Sequence, residues 1–264
     1  MTKKYKKNLI KAARAGGKIL KKYFGKALNI TEKSTLWDFQ TKADLNSEKA
    51  ILKILKTEFP TSNIYSEEKG KINNKSHYTI VVDPLDGTNN FVMGIPSFCI
   101  SIAILKNNEA VAGVLYQPIL NQVYYAEKGK GAFLNDKKIK VNNITNRKKL
   151  TIAYNCGYLT KRNYIAELTK VLVNADHKRI LRNWCPTESL YLLASGKIES
   201  VIGDRNEIYD FAAGKLIAME AGAKIIDLKG NKDTNYINDK FIISNHEQTN
   251  KYIFSIIKLL QKMR

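Results

Sequence analysis

The sequence predicts an α+β half followed by an α/β half, and three observations support this. Between about residues 64 and 126, short apolar and β-branched runs follow one another with only turn residues between them, the pattern of an antiparallel-rich sheet. From about residue 143, short apolar runs alternate with segments of helical period, which implies helices packed on a mixed sheet. At 264 residues and 44% apolar composition, the chain can bury a substantial core as one two-lobed unit. The lobes are expected at residues 1–142 and 143–264, with no linker between them.

The elements follow in order. Tyr5, Leu9, Ala12, Ile19, Leu20 and Phe24 recur at helical spacing and predict a first amphipathic helix. Residues 1–26 carry ten Lys or Arg and no acid, but lack the continuous apolar core and small-residue cleavage site of a targeting peptide. A second helix opens at Thr41-Lys42-Ala43-Asp44, with Leu45, Ile51, Ile54, Leu55 and Phe59 on its apolar side and Pro60 as its stop. Strands are expected near 64–66, 78–83, 97–105, 111–117 and 121–126, the second of them ended sharply by Pro84 and Gly87. The second lobe reads as strand 150–156, helix 162–175, strand 178–183, helix 187–195, strand 198–202, helix 211–221, strands near 224–227 and 241–244, and a helix from 247.

Composition narrows the function classes. The net charge of +20 raises nucleic-acid binding as a possibility. Lys, Asn and Ile are abundant everywhere, including the loop 69–75, and no zinc-finger spacing or stacked-aromatic ladder appears, so nucleic acid is not the expected partner. A basic surface still speeds encounter with phosphorylated anions at low salt. The longest apolar run, Phe98 to Leu105, is too short to span a membrane. Cys99, Cys156 and Cys185 are widely spaced, which argues for a reducing, cytoplasmic compartment and against a disulfide scaffold or zinc site. Cys99 reads as core. His77, His177 and His246 form no evident triad.

The most informative stretch is Val82-Asp83-Pro84-Leu85-Asp86-Gly87-Thr88-Asn89-Asn90-Phe91. It sets two carboxylates and a hydroxyl on one tight turn after an apolar strand, with the Leu85 carbonyl as a third oxygen donor suited to a hard cation such as Mg²⁺. The N–H groups of Gly87 and Thr88 could seat a phosphate if a helix begins there. An ordinary Asx-type turn is the alternative. Three other places offer partners: the paired acids Glu67-Glu68 at the end of a short strand, Asp210 at the expected N-cap of a helix running to Gly222, and Asp44 at the opening of the second helix. Surface placement would explain the first, and capping the other two. Asp233 sits in a polar loop and reads as inert.

Together these four places resemble the inositol monophosphatase family, the Mg²⁺-dependent, lithium-sensitive sugar phosphatases. The resemblance runs from Lys33-Ser34-Thr35 through Gly94-Ile95-Pro96, Gly129 to Asn135 and Ala194-Ser195-Gly196-Lys197 to Tyr209–Gly214 and Glu220-Ala221-Gly222. It implies a layered αβαβα sandwich with the metal site between lobes, and a homodimer. It also implies metal ligation by Glu67, Asp83, the Leu85 carbonyl, Asp86 and Asp210, with two or three Mg²⁺. Thr88 and Asp44 would orient the attacking water, with Glu68 and Lys33 close by. Substrate contacts are expected from Leu85, Asp86, Gly87, Thr88, Glu188, Glu207 and Asp210.

Two departures limit the inheritance. The aromatic commonly Trp is Tyr209, and Trp184-Cys185-Pro186-Thr187-Glu188 replaces the stretch of inositol-specific members. The inositol-contacting Glu falls at Gly203, with Asp204 or Glu207 as substitutes. The expected activity is hydrolysis of a small phosphorylated polyol or sugar. Inositol 1-phosphate comes first, then fructose 1,6-bisphosphate, histidinol phosphate and 3'-phosphoadenosine 5'-phosphate. A non-catalytic regulator binding nucleic acid or protein on the same fold is the alternative.

Overall fold

The structure, a computed structural model, describes residues 2–26, 30–32, 39–158, 160–233 and 235–262. Helix α1 (Thr2–Tyr23) turns Leu9, Ala12, Ala13 and Leu20 inward, the stripe expected of an amphipathic helix. Gly16 faces helix α2 (Lys42–Glu58), where a Cβ would come within 2.7 Å of Ile51 and Ser47. The bare backbone at Gly16 thus sets how closely the two helices approach. Thr41 caps α2, accepting from the Ala43 N–H, and Asp44 returns a bond to the Thr41 N–H at 2.8 Å. Leu45, expected on the apolar side, is 44% exposed. The buried stripe runs through Asp44, Glu48, Ile51, Leu52 and Leu55, and at 100° per residue Leu45 points off it.

The first sheet comprises β3 (Asn63–Ser66), β4 (Gly70–Ile72), β5 (Tyr78–Asp86), β6 (Cys99–Lys106), β7 (Glu109–Gln117), β8 (Gln122–Glu127), β9 (Ala132–Leu134) and β10 (Lys137–Ile139). Their order is β10-β9-β8-β7-β6-β5-β3-β4, and among the described pairings all are antiparallel except β3 with β5. Strands β4, β9 and β10, and the ribbon β1 (Ile30–Glu32) with β2 (Phe39–Thr41), escaped the sequence reading. Three residues each are too few to display a period of two.

The second half supplies β11 (Thr151–Cys156), α4 (Arg162–Val173), β12 (Arg179–Leu181), α5 (Pro186–Ala194), β13 (Ser200–Asp204), α6 (Ile208–Glu220), β14 (Lys224–Asp227), β15 (Lys240–Ser244) and α7 (Glu247–Lys262). The sheet order is β12-β11-β13-β15-β14, with β12, β11 and β13 parallel and β15 and β14 antiparallel. The predicted mixed sheet is present.

Three apolar clusters define the layers. One joins α1 and α2 to one face of the first sheet. A second joins the other face, through Val81, Cys99, Ala103 and Leu115, to α5, α6 and Val201 and Ile243 of the second sheet. A third joins that sheet's far face to α4 and α7. The result is the expected αβαβα stack. Helix α6 is gripped on both sides: Gly113 of β7 lies where a Cβ would come within 3.1 Å of the Ala213 backbone, and a Cβ on Gly214 would come within 2.5 Å of Leu190 on α5. The small residues Ala212-Ala213-Gly214 therefore let α6 fit between a sheet and a helix, and that fit fixes where its first turn points.

Asp233, read as inert, is buried and ion-paired at 3.5 Å with Lys215, itself 1% exposed beneath Phe241. Burial lowers the Lys215 ammonium to about 8, against the pull of Asp233. The polar composition of the loop hid a buried pair made across the fold. No helix among the described residues is long and apolar enough to cross a membrane.

Replacing Gly113 by Val is expected to push α6 from the sheet and cost about 1–3 kcal/mol, read by chemical denaturation. An unchanged midpoint would mean that the contact with Ala213 does not set the position of α6.

Candidate active site

In a regular strand, residues three apart point to opposite faces. Asp83 and Asp86 do not, because the ladder between β5 and β6 slips: Asp83 is opposite Ser101 and Asp86 opposite Cys99, so three steps on β5 match two on β6. The extra residue is a β-bulge at Pro84-Leu85, where a residue with no N–H to give is tolerated. Strand β5 therefore continues to Asp86 and is not ended by Pro84 as the sequence suggested. Both carboxylates end up on the face that packs against α5 and α6. The Leu85 side chain goes to the opposite core, and the Leu85 N–H donates to Asp83 Oδ1 at 2.9 Å.

Neighbouring elements complete the group. Glu67 extends the parallel pairing, its N–H donating to the Val82 carbonyl at 3.1 Å, which sets it beside Asp83. Asp210 is not the N-cap of α6 as expected. Glu207 holds that position and Asp210 is the third helical residue, its Oδ2 accepting from the Glu207 N–H at 2.9 Å. One turn inside the helix, it reaches the strand carboxylates: oxygens of Asp83, Asp86 and Asp210 all lie within 4.8 Å of one another. Ser101 Oγ ties the helix down by donating to the Tyr209 carbonyl at 2.9 Å. Tyr209 stands edge-on to Tyr65, with ring centroids 6.0 Å apart.

Beyond the bulge, Gly87 takes φ +92 and packs so that a Cβ would come within 2.9 Å of the Ser97 carbonyl, a place only Gly fits. The short helix α3 (Thr88–Val92) starts there. Thr88 Oγ1 lies 3.1 Å from Asp44 Oδ1 and 3.0 Å from the Leu85 carbonyl. Asp44 is fully buried, its other oxygen accepting from Thr41.

Electrostatics set the character of the site. Burial, and then the charges of Glu67, Asp86 and Asp210, hold the Asp83 carboxyl well above the usual carboxylate range. Asp210 is raised likewise, by burial and then Asp86 and Glu67. Burial lifts Asp86 to about 6, opposed by hydrogen bonds from the Thr187 hydroxyl and N–H and from Cys185. Such a group of like charges, Asp83 and Asp86 buried and Glu67 and Asp210 half-buried, is costly without a cation. Its donors are hard oxygens, the set that Mg²⁺ takes, so the residues fit a divalent metal.

The acids open into a cleft of about 380 Å³ lined also by Thr88, Asn155, Arg182, Trp184 and Arg205. Glu67, Asp83, Leu85, Asp86, Gly87, Thr88, Glu207 and Asp210 all line it. Asp44 is reached through Thr88. Glu68 is not among the lining residues and accepts from the Gln40 amide. Glu188, expected on the sugar side, is not among the lining residues, and its oxygens accept from Ser97, Asn183 at 3.0 Å and Tyr191 at 2.8 Å. Asn183 itself lines the cleft, so Glu188 is one residue removed from it through that bond. Of the two candidates offered for the family's sugar-contacting Glu, Asp204 is 3% exposed and does not line the cleft, whereas Glu207 does. Lys33 lies outside the described residues.

Sequence reasoning missed Thr187 and Cys185, which hold Asp86, with the Thr187 N–H donating at 2.8 Å and the Cys185 thiol at 3.2 Å. It also missed Arg182 and Arg205. The first pair is separated from Asp86 by about a hundred residues of chain, and no local spacing announces it. Cys99 is fully buried on β6, as expected of core, and its thiol also contacts Thr187 Oγ1 at 2.6 Å.

A carboxyl whose pKa is higher folded than unfolded stabilises the fold at low pH and loses that contribution as pH rises through the folded value. In EDTA, the melting temperature is therefore expected to drop by several degrees between about pH 4 and about pH 7, with a smaller drop in Asp86→Asn. Millimolar Mg²⁺ at the upper pH should restore it. A profile identical with and without Mg²⁺ would contradict the assignment of these acids to a metal.

The sequence model of the inositol monophosphatase family matches residues 2–262. The chain is 33% identical over 228 residues to the Nus factor SuhB of Xylella fastidiosa, covering 84% of this chain and 81% of that protein. It is 31% identical over 252 residues to a fructose-1,6-bisphosphatase/inositol-1-monophosphatase of Thermotoga maritima, covering 94% and 95%. The crystal structure of the extragenic suppressor protein suhB from Bartonella henselae superposes with a TM-score of 0.88 at 30% identity, over 96% of this chain and 97% of that one.

Proposed function

The chain belongs to the inositol monophosphatase family, and from that premise we propose that it is a Mg²⁺-dependent phosphomonoesterase acting on a small phosphorylated polyol or sugar. The observation that carries the reading is the set of Asp83, Asp86 and Asp210 oxygens, within 4.8 Å of one another and opening into a cleft of about 380 Å³. A volume of that size suits a small ester.

In this reading Glu67, Asp83, the Leu85 carbonyl, Asp86 and Asp210 hold the metal, in two or three ions. Bound Mg²⁺ supplies charge neutralisation and Lewis acidity toward phosphoryl oxygens. The protein's own groups do the positioning. The Thr88 hydroxyl proton is directed at Asp44 or the Leu85 carbonyl, which leaves an oxygen lone pair toward the cleft to accept a hydrogen bond from water. Buried Asp44 keeps that hydroxyl turned, and Thr41 keeps Asp44 turned. Water so held is aligned for in-line displacement at phosphorus. Glu68, expected close by, accepts from the Gln40 amide.

The reading extends to Li⁺ inhibition, a homodimer, lobes dividing near residue 142 and a cytoplasmic setting. The three cysteines are free, which suits a reducing compartment. A second reading, a regulator on the same fold, draws on the similarity to the Nus factor SuhB and on the net charge of +20. It does not require the buried acid cluster.

Phosphate release from a panel of esters is expected to need millimolar Mg²⁺ and to stop with EDTA. Thr88→Ala should lower kcat about a hundredfold or more on every ester, while Asp136→Asn, at an exposed turn paired with Lys6, changes little. Full turnover in EDTA, or none on any ester with Mg²⁺, would contradict the phosphatase.

A further inference from the structure

Helix α2 touches the surroundings of the site at three residues, and to one of them, Glu48, the proposed reaction assigns no part. Asp44, Ser47 and Glu48 lie at i, i+3 and i+4 on its buried face, and residues so spaced are neighbours on a helix surface. Each reaches a different segment of the chain. Asp44 Oδ1 lies 3.1 Å from the Thr88 hydroxyl, the Ser47 hydroxyl donates to the Pro84 carbonyl of the β5 bulge at 2.9 Å, and Glu48 Oε1 accepts from the Ser66 hydroxyl at 2.5 Å and the Lys69 N–H at 2.8 Å. Ser66 and Lys69 bracket Glu67 and Glu68 in the turn between β3 and β4. One carboxylate oxygen thus closes that turn across its two ends.

Neither the helix nor the core accounts for an acid at this place. Glu48 is 5% exposed, and burying a carboxylate costs free energy unless its partners offset the lost water. Those partners are a hydroxyl and a backbone N–H, and no cation pairs with it among the described residues. Charge-assisted bonds of this kind are shorter and about twice as strong as neutral ones, so an acid here grips the turn more firmly than an amide would. The turn matters for what it carries. Glu67 lines the cleft and its charge acts on Asp83, whereas Glu48 and Ser66 are buried and are not among the lining residues. The helix has little room to shift, since a Cβ on Gly16 of α1 would come within 2.7 Å of Ser47 Oγ.

We propose that Glu48 is a positioning residue for the metal site: its carboxylate fixes the turn that presents Glu67, and the helix holds that turn at a set distance from the bulge that presents Asp83 and Asp86. Ser47, one residue earlier, fixes the bulge end of that span. Partners of this kind orient a ligand without touching the ion, and their loss typically weakens metal binding about 10- to 100-fold. The inference rests on the metal-dependent phosphatase reading, but can fail separately.

The test is the affinity of the full chain for Mn²⁺, which shares the oxygen preference of Mg²⁺, read from the electron paramagnetic resonance of the free ion, with the melting temperature measured alongside. Glu48→Ala is expected to weaken binding about tenfold or more. Glu48→Gln keeps an oxygen that accepts both bonds and should stay within about threefold of wild type. Ser66→Ala removes one donor without touching α2, should weaken binding about fivefold, and serves if Glu48→Ala does not fold. Glu58→Ala, at the far end of α2 where the carboxylate binds Asn8 and Lys11, should lower the melting temperature and leave the affinity unchanged. A merely structural role would make Glu48→Ala behave the same way. Wild-type affinity in Glu48→Ala and Ser66→Ala, or equal losses in Glu48→Gln and Glu48→Ala, would overturn the assignment. If wild type binds no Mn²⁺, the phosphatase reading fails, and amide hydrogen exchange over residues 66–69 decides the clamp alone. Faster exchange in Glu48→Ala supports it, and unchanged exchange overturns it.

Discussion

The site depends on one extra residue in one strand. Without the slip between Asp83 and Asp86 against Ser101 and Cys99, strand alternation would send one carboxylate to the core shared with α1 and α2 and the other to α6. With it, both face Asp210. The bulge lasts because Pro84 needs no ladder partner, because Ser47 on α2 donates to the Pro84 carbonyl at 2.9 Å, and because Gly87 accepts a φ of +92. Those features act on local backbone geometry, and their product is electrostatic, a set of buried and half-buried like charges lifted above their ordinary pKa values. An unfavourable arrangement that the whole fold maintains is the mark of a site built for a cation.

Helix α6 is the second dependence, since it brings the acid from the other half of the chain. Its seat between Gly113 and Leu190 and the Ser101 bond to Tyr209 fix its first turn to within ångströms of β5. The Glu220 carboxylate at its other end accepts from the N–H groups of Gly129 and Gly131 at 2.7 and 2.8 Å. The helix is thus held to the first sheet at both ends although its sequence belongs to the second half. Positioning of this kind sets how well an in-line displacement can be aligned.

Most of the architecture was legible because period and length speak for long elements: α1, α2, β5 to β8 and the alternating second half all stand close to where the sequence put them. The three-residue strands β1, β2, β4, β9 and β10 were invisible for lack of period, whereas β12, as short, stood out between two helical segments. Pro84 misled because a proline that usually ends a strand here sits in a bulge, and Asp210 misled because its neighbour Glu207 takes the capping position. The acids lay in motifs readable as chemistry. Their holders did not: Thr187, Cys185 and the two arginines reach the cleft only through long-range packing. Glu188 and Asp233 likewise have partners that local composition does not announce, Ser97 and Lys215.

The central claim is that the bulge makes a divalent metal site from both halves of the chain. Anomalous diffraction from crystals soaked in Mn²⁺, a stand-in for Mg²⁺ with the same oxygen preference, tests it most directly. The account predicts two peaks about 3.5–4 Å apart, bounded by Glu67, Asp83, the Leu85 carbonyl, Asp86 and Asp210. A saturated crystal with no peak among these five would contradict it.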